Sequence, residues 1–245
     1  MNITTASVIG KRDLQEDRFG VIYRETGTLL AVMDGYGGAG VAESIRQCLE
    51  NVFDGAKKLG GDEEATLVST FRALNLLFRS RRAGATLSLV WIPQEARFAY
   101  VGILGDSPVI IKNPNDTVPW ISPEHNVRTN LREREAAIRR GGFYFAGYLH
   151  GKTGDWGIQI SRALGGAVLG EVLDRRPEIF PRPIEPGGII LAVTDGAVDP
   201  GHEKAAPRIK QLLDLVLGGG DADAVVKDAL AHGTDDNATA IVCRI

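Results

Sequence analysis

Between Ala85 and Lys112 three apolar runs of strand length follow one another, at Ala85 to Ile92, Ala96 to Leu104 and Val109 to Lys112, with only a few residues between them. A parallel neighbour needs a crossover of about a dozen residues or more, so runs this closely spaced should pair as antiparallel hairpins. Further runs at Phe19 to Tyr23, Leu29 to Met33, Ile189 to Thr194 and Ala238 to Ile245 add strands. Helical periodicity falls in separate blocks. Gly40 to Leu59 and Glu63 to Arg81 lie side by side, the second with Leu67, Phe71, Leu74 and Phe78 on one face, which predicts an antiparallel helix pair. Later blocks span Leu131 to Arg140, which is charged, expected to be exposed and stopped by Gly141 and Gly142, then Ala205 to Leu217 and Asp221 to Ala231. Strands and helices segregated in this way predict an α+β fold, sheets with helices stacked outside. No Pro- or Ser-rich linker, charge block or repeat divides the chain, so residues 1–245 are expected to form one domain.

The acids sit where the strands stop. Leu29 to Asp34, Val101 to Asp106 and Ile189 to Asp195 each close an apolar run with Asp, and Asp235-Asp236-Asn237 opens another. Carboxylates gathered at one rim of a core repel one another unless a cation is present. Oxygen ligands suit hard divalent ions such as Mg²⁺ or Mn²⁺, and no His or Cys cluster competes. Any single Asp-Gly after a strand is equally a turn, so the order of several has to carry the argument. The other candidates are weak. Cys48 and Cys243 support neither a disulfide framework nor a Cys-rich zinc site, and His125, His150, His202 and His232 lack ligand spacing and are read as surface or capping residues. Gly147 to Thr153 has a phosphate-loop flavour but one residue too few between its glycines and no strand before it, so it is read as a mobile loop.

Charge and composition exclude partners. With 28 Lys and Arg against 31 Asp and Glu, the net charge is −3, and there is no basic field for a nucleic-acid backbone. The first residues show no charged-then-apolar leader, and no apolar run of about 18 residues occurs, so neither secretion nor a membrane span is expected. The small cysteine count makes the cytoplasm the expected compartment.

Seven segments then form an ordered series: Arg12-Asp-Leu-Gln-Glu16-Asp17, Asp34-Gly-Tyr-Gly-Gly38, Gly84-Ala-Thr86, Gly105-Asp106-Ser107, Ser161-Arg-Ala-Leu-Gly165, Asp195-Gly-Ala-Val-Asp199 and Asp236-Asn237. In order and spacing they resemble the motifs of the metal-dependent PP2C (PPM) protein phosphatases, over about residues 7 to 245, and the chain is similar to the compact bacterial branch. The resemblance implies a four-layer α-β-β-α sandwich, two antiparallel sheets flanked by helix pairs, with two core Mn²⁺ or Mg²⁺ ions in a cleft at one end. It implies that Asp34 bridges the two ions, that the Gly35 carbonyl, Asp195 and Asp236 complete the first ion's ligands, and that Glu16 acts on the second through water. Asp106 and Asp199 would hold a third, weaker ion, or else cap their strand ends.

The implied reaction is hydrolysis of phosphoserine and phosphothreonine on a phosphorylated protein by hydroxide formed between the two ions, with no protein nucleophile. Neither cysteine is followed five residues later by Arg, as thiol-dependent phosphatase chemistry requires. Arg12 would clamp the phosphate, unless it is tied up in a surface ion pair with Asp13 or Glu16. Asp17 would orient the attacking water, unless it is an exposed turn acid. Tyr36 stands where the common motif has the His that protonates the leaving group, and a phenol is a poorer acid at neutral pH. Gly166 and Pro108 replace an Asp and an Arg usual in relatives. The segment 126–156 corresponds to the variable flap beside the active site. A monomer that opposes a serine/threonine kinase is expected. Two readings stay open: a pseudophosphatase that regulates partners without turnover, which Tyr36 favours and the complete acid set disfavours, and the same chemistry on a small phosphate ester.

Overall fold

The computed structural model describes residues 1–95, 97–152, 154, 156–199 and 205–245. In chain order the strands and helices are β1 (Asn2–Val8), β2 (Arg18–Arg24), β3 (Gly27–Met33), β4 (Gly35–Tyr36), α1 (Gly40–Lys58), α2 (Glu63–Phe78), β5 (Gly84–Ala85), β6 (Leu87–Pro93), β7 (Phe98–Leu104), β8 (Val109–Lys112) and β9 (Trp120–Ile121). There follow α3 (Leu131–Arg139), β10 (Phe143–Phe145), β11 (Tyr148–His150), β12 (Gly157–Ile158), β13 (Leu164–Gly165), β14 (Glu178–Pro183), β15 (Ile189–Val193), α4 (Asp195–Val198), α5 (Ala205–Leu217), α6 (Ala222–Ala231) and β16 (Ala238–Arg244).

Two five-stranded sheets, ordered β1-β16-β15-β8-β9 and β14-β7-β6-β3-β2, carry the fold, and all their neighbours are antiparallel. β3 explains the layering. All seven of its residues are buried because successive side chains point to opposite faces and both faces are covered. Leu29, Ala31 and Met33 pack with Ile45, Leu49 and Phe53 of α1 and Phe71 and Leu74 of α2. Leu30 and Val32 face the other sheet, where Ile111, Ile190, Ala192 and Ile241 complete the central core. On the far side Ile110, Leu191, Ala240 and Val242 bury Leu212 and Val216 of α5 and Val225 and Ala229 of α6. The result is the expected four-layer sandwich of helices, two sheets and helices. The helix starts are fixed locally: Asp62 accepts from the Ala65 N–H at the head of α2, and Asn130 accepts from Arg132 and Glu133 at the head of α3.

Several boundaries differ from the sequence reading. The run from Ala85 to Ile92 splits at Thr86, where the chain leaves a small sheet ordered β13-β5-β4 and enters the large one. Two long edge strands of the large sheets were not anticipated, nor were the short strands β4 and β9–β13. β1 reads NITTASV, too polar to register as a run, and β14 contains Pro181 and Pro183, which an edge strand tolerates because one row of its N–H groups is unpaired. α2 ends at Phe78 rather than Arg81. The flap is also more ordered than a loop. Tyr148–His150 is a strand paired on both sides, by β10 and β12, and Val127, Ala137, Leu149, Ile158, Ala163 and Leu169 form a separate buried cluster. α3 is not wholly exposed, since Glu133 is buried.

Candidate metal centre

The acids meet at one end of the sandwich because each sits where a strand terminates. Asp34 lies between β3 and β4, Asp106 two residues past β7, Asp195 two residues past β15, Asp236 two residues before β16 and Asp17 immediately before β2. Carboxylate oxygens of Asp34, Asp106 and Asp195 come within 4.8 Å of one another. Asp199, at the end of α4, donates its backbone N–H to the Asp195 carbonyl at 2.7 Å. Together with Asp106, Asp195 and Glu124 it lines an opening of about 20 Å³, room for one small occupant.

Close packing at the loops is made possible by missing side chains. A Cβ on Gly196 would stand 2.0 Å from the Asn237 carbonyl, and one on Gly35 would stand 2.6 Å from the Glu16 carbonyl. Asn237 then ties the loop before β16 to the segment between β1 and β2. Its Oδ1 accepts from the Glu16 N–H at 2.7 Å, and its Nδ2 donates to the Ile9 carbonyl at 2.8 Å and the Leu14 carbonyl at 3.0 Å. Glu16 Oε1 accepts from the Gly38 N–H. Asp34 is held by Thr86, which donates its N–H to the Asp34 carbonyl at 2.8 Å and accepts from the Asp34 N–H at 3.1 Å.

Burial and mutual repulsion show in the titration of the cluster. Burial first, then the charges of neighbouring acids, holds Asp34 and Asp195 well above the usual carboxylate range. Burial pushes Asp106 up to about 6 against an opposing hydrogen bond from Asn126 Nδ2, and Asp17 up to about 7 against the Thr194 and Thr239 hydroxyls, each 2.8 Å from its Oδ2. Among the described residues Asp106 Oδ1 and Asp195 Oδ1 are buried without a hydrogen-bond partner. Crowded acids with raised pKa values and unsatisfied oxygens on an all-oxygen donor set fit a hard divalent cation.

Not every anticipated residue joins the three central acids. Asp236 Oδ2 is 2.6 Å from Arg12 Nη2, and Arg12 Nε donates to the Asp235 carbonyl at 3.1 Å. Arg12 is thus paired neither with Asp13 nor with Glu16 but with an acid of the cluster. Asp17 is buried, 3% exposed, and is not an exposed turn acid. Tyr36 packs against the flap cluster. Its hydroxyl is buried without a partner among the described residues, it fills the space where a Cβ on Gly84 or Gly166 would stand, and its ring lies 5.6 Å from that of Trp156. Burial raises its pKa, so the phenol is a still weaker proton donor than the sequence suggested.

The histidine reading also needs correction at one position. His125 is 1% exposed, not a surface residue. Its Nδ1 accepts from the Gly105 N–H at 3.1 Å, directly before Asp106, which puts the ring proton on Nε2, 3.7 Å from Glu178 Oε2. His125, Glu133 and Glu178 bring ligand atoms within 4.8 Å, yet Arg162 Nη2 lies 2.5 Å from Glu133 and 2.9 Å from Glu178, so a guanidinium already stands between those carboxylates where an ion would sit. His202 lies outside the described residues. Glu124, His125 and Asn126 escaped the sequence reading as site residues; the only available signal was their position after the short strand β9.

Comparison with known proteins follows the same direction. The family pattern described as Protein phosphatase 2C matches residues 15–185. A relative named Probable protein phosphatase 2C 59, from Oryza sativa subsp. japonica, is 27% identical over 255 residues, covering 98% of this chain and 74% of its own length. The crystal structure of serine-threonine phosphatase 2C from Toxoplasma gondii superposes with a TM-score of 0.76 at 20% identity, covering 98% of this chain and 93% of that one. The catalytic domain of the serine threonine protein phosphatase PstP in complex with two manganese ions gives a TM-score of 0.67 at 22% identity, covering 98% and 96%.

Proposed function

This chain belongs to the protein phosphatase 2C family of metal-dependent serine/threonine phosphatases, and from that premise we propose how its own residues hydrolyse phosphoserine and phosphothreonine on phosphorylated proteins. The observation that carries the reading is the trio Asp34, Asp106 and Asp195, gathered within 4.8 Å with two of its buried oxygens unsatisfied. Asp34, the Gly35 carbonyl, Asp195 and Asp236 would hold the core Mn²⁺ or Mg²⁺ ions, Glu16 would act through water, and Asp106 and Asp199 would hold a third. When bound, such ions lower the pKa of a shared water toward neutrality and offset charge on the phosphate oxygens.

The remaining roles fall to protein groups. Two threonine hydroxyls occupy Asp17 Oδ2, which leaves Oδ1 to accept a hydrogen bond from the attacking water and orient it. Arg12 exchanges its contact with Asp236 for two oxygens of the incoming phosphate, a geometry that a planar guanidinium suits. The leaving oxygen takes its proton from solvent, a reading supported by the burial of the Tyr36 hydroxyl.

We further propose that residues 1–245 act as one catalytic domain, as a monomer in the cytoplasm, in opposition to a serine/threonine kinase. Pairing of β1 with β16 supports the first, and no described helix is long and apolar enough to cross a membrane. Purified protein should hydrolyse an aryl phosphate and a phosphothreonine peptide with Mn²⁺, and lose activity with a chelator or on Asp34→Ala or Asp236→Ala. Absence of turnover at every metal concentration would overturn the proposal.

A further inference from the structure

A cavity of about 630 Å³ opens beside the ends of α2 and α3, lined by Arg79, Arg140, Arg175 and Arg176 together with Glu171 and Asp174. Its lining carries an excess of two positive charges in a chain whose net charge is −3. The acids do not cancel the arginines one for one. Asp174 is already committed, accepting from Arg176 at 2.6 and 3.0 Å and standing 3.6 Å from Arg140. Among the described residues Arg175 bonds only carbonyls, those of Gly170 at 2.9 Å, Leu173 at 2.7 Å and Gly165 at 2.8 Å, and its charge has no carboxylate counterpart. Arg79 makes no ion pair or side-chain hydrogen bond among the described residues, and Arg81 and Arg82 are exposed just beyond it. The Asn75 amide oxygen, buried in the same lining, has no partner among the described residues.

Concave shape with unmatched guanidinium groups is the chemistry that grips a phosphate monoester, whose oxygens accept paired N–H groups. The lining holds no aromatic side chain on which a base could stack, which favours a phosphorylated protein over a nucleic acid. Placement agrees. The lining segment begins just past Gly165 in β13, and β13 is joined through β5 to β4, the strand that follows Asp34. Two strand spacings make about 10 Å, roughly three residues of extended peptide.

We propose that this cavity docks a second phosphorylated side chain of the protein substrate, one that is held rather than hydrolysed. The proposal rests on the phosphatase reading, because its occupant is carried on a phosphoprotein. Metal-loaded enzyme should be compared on a peptide with one phosphothreonine and on the same peptide with a second phosphoresidue a few positions away. Arg79→Ser should raise KM about tenfold for the doubly phosphorylated peptide, while KM for the single one and kcat for both stay unchanged. Equal KM changes for the two peptides, or none, would overturn it. Calorimetric titration with orthophosphate in chelator separates the other source: binding lost in Arg79→Ser with both peptides unaffected would mark a free-phosphate site and refute docking. If wild-type protein fails to turn over the singly phosphorylated peptide, the phosphatase reading falls. Binding of the doubly phosphorylated peptide in chelator, with and without Arg79→Ser, then judges the cavity separately.

Discussion

Tyr36 and Asp34 are neighbours but one in sequence, yet their side chains serve different parts of the molecule. The Tyr36 hydroxyl makes no hydrogen bond among the described residues, and its ring packs against the flap cluster beside Trp156. Deleting an unpaired buried hydroxyl is close to neutral, so Tyr36→Phe should leave kcat and KM within about twofold and stability unchanged or slightly raised. A fall of tenfold or more in kcat would restore the phenol to a catalytic role. His125 is the converse case, a residue with no legible motif that holds the loop before Asp106. His125→Leu leaves the Gly105 N–H buried without an acceptor, whereas Asn places an oxygen where Nδ1 stood. Titration with Mn²⁺ should therefore show affinity about tenfold weaker for His125→Leu and near wild type for His125→Asn. Unchanged affinity in the Leu variant would rule out the positioning role. Neither direction could be read from the chain, because Gly84, Gly166 and Glu178, which decide them, are remote in sequence.

At the level of elements, strands covered on both faces were plain to see. β3 and β15 are continuous apolar runs, and the Asp after each marks where the sheet stops. The edge strands β1 and β14 were hidden by Thr, Ser and Pro, residues that a half-solvated edge accepts. The flap was recognised as a segment but not as a structure, since its cohesion comes from a tertiary apolar cluster and from ion pairs to residues outside it. Arg162 joins Glu133 of α3 to Glu178 of β14, and although burial disfavours the charged Glu133 carboxylate, Arg162 and Ser161 hold its pKa below the usual value. Arg162→Met strands that carboxylate, and thermal or urea unfolding should register a loss of about 2–3 kcal/mol. A loss below about 0.5 kcal/mol would mean that apolar packing alone seats α3.

For the molecule as a whole, the net charge of −3 averages over a concentration of acid at one end of the sandwich. Without cations, the folded state binds protons more tightly than the unfolded chain at Asp17, with pKa about 7, at Asp106, with pKa about 6, and at Asp34 and Asp195. That contribution to stability is complete below about pH 4 and is lost as pH rises through 6 to 7. Below about pH 4 the trend reverses, because Glu43 and Asp174, each with pKa about 2, must be protonated. Tm in chelator should fall between pH 5 and 8, while excess Mn²⁺ should raise Tm most at pH 8. A flat profile in chelator would contradict the repulsion inferred at the cluster. The contact between Asn237 and Glu16 has a temporal consequence as well. It spans 221 residues of sequence, and Arg12 reaches Asp236 across 224. Contacts of such high order form slowly and late, and β1 has no partner strand until β16 has been synthesised. A nascent chain that lacks β16 therefore carries most of the acids of the site but no assembled centre, and it should stay inert toward neighbouring phosphoproteins until β16 has emerged.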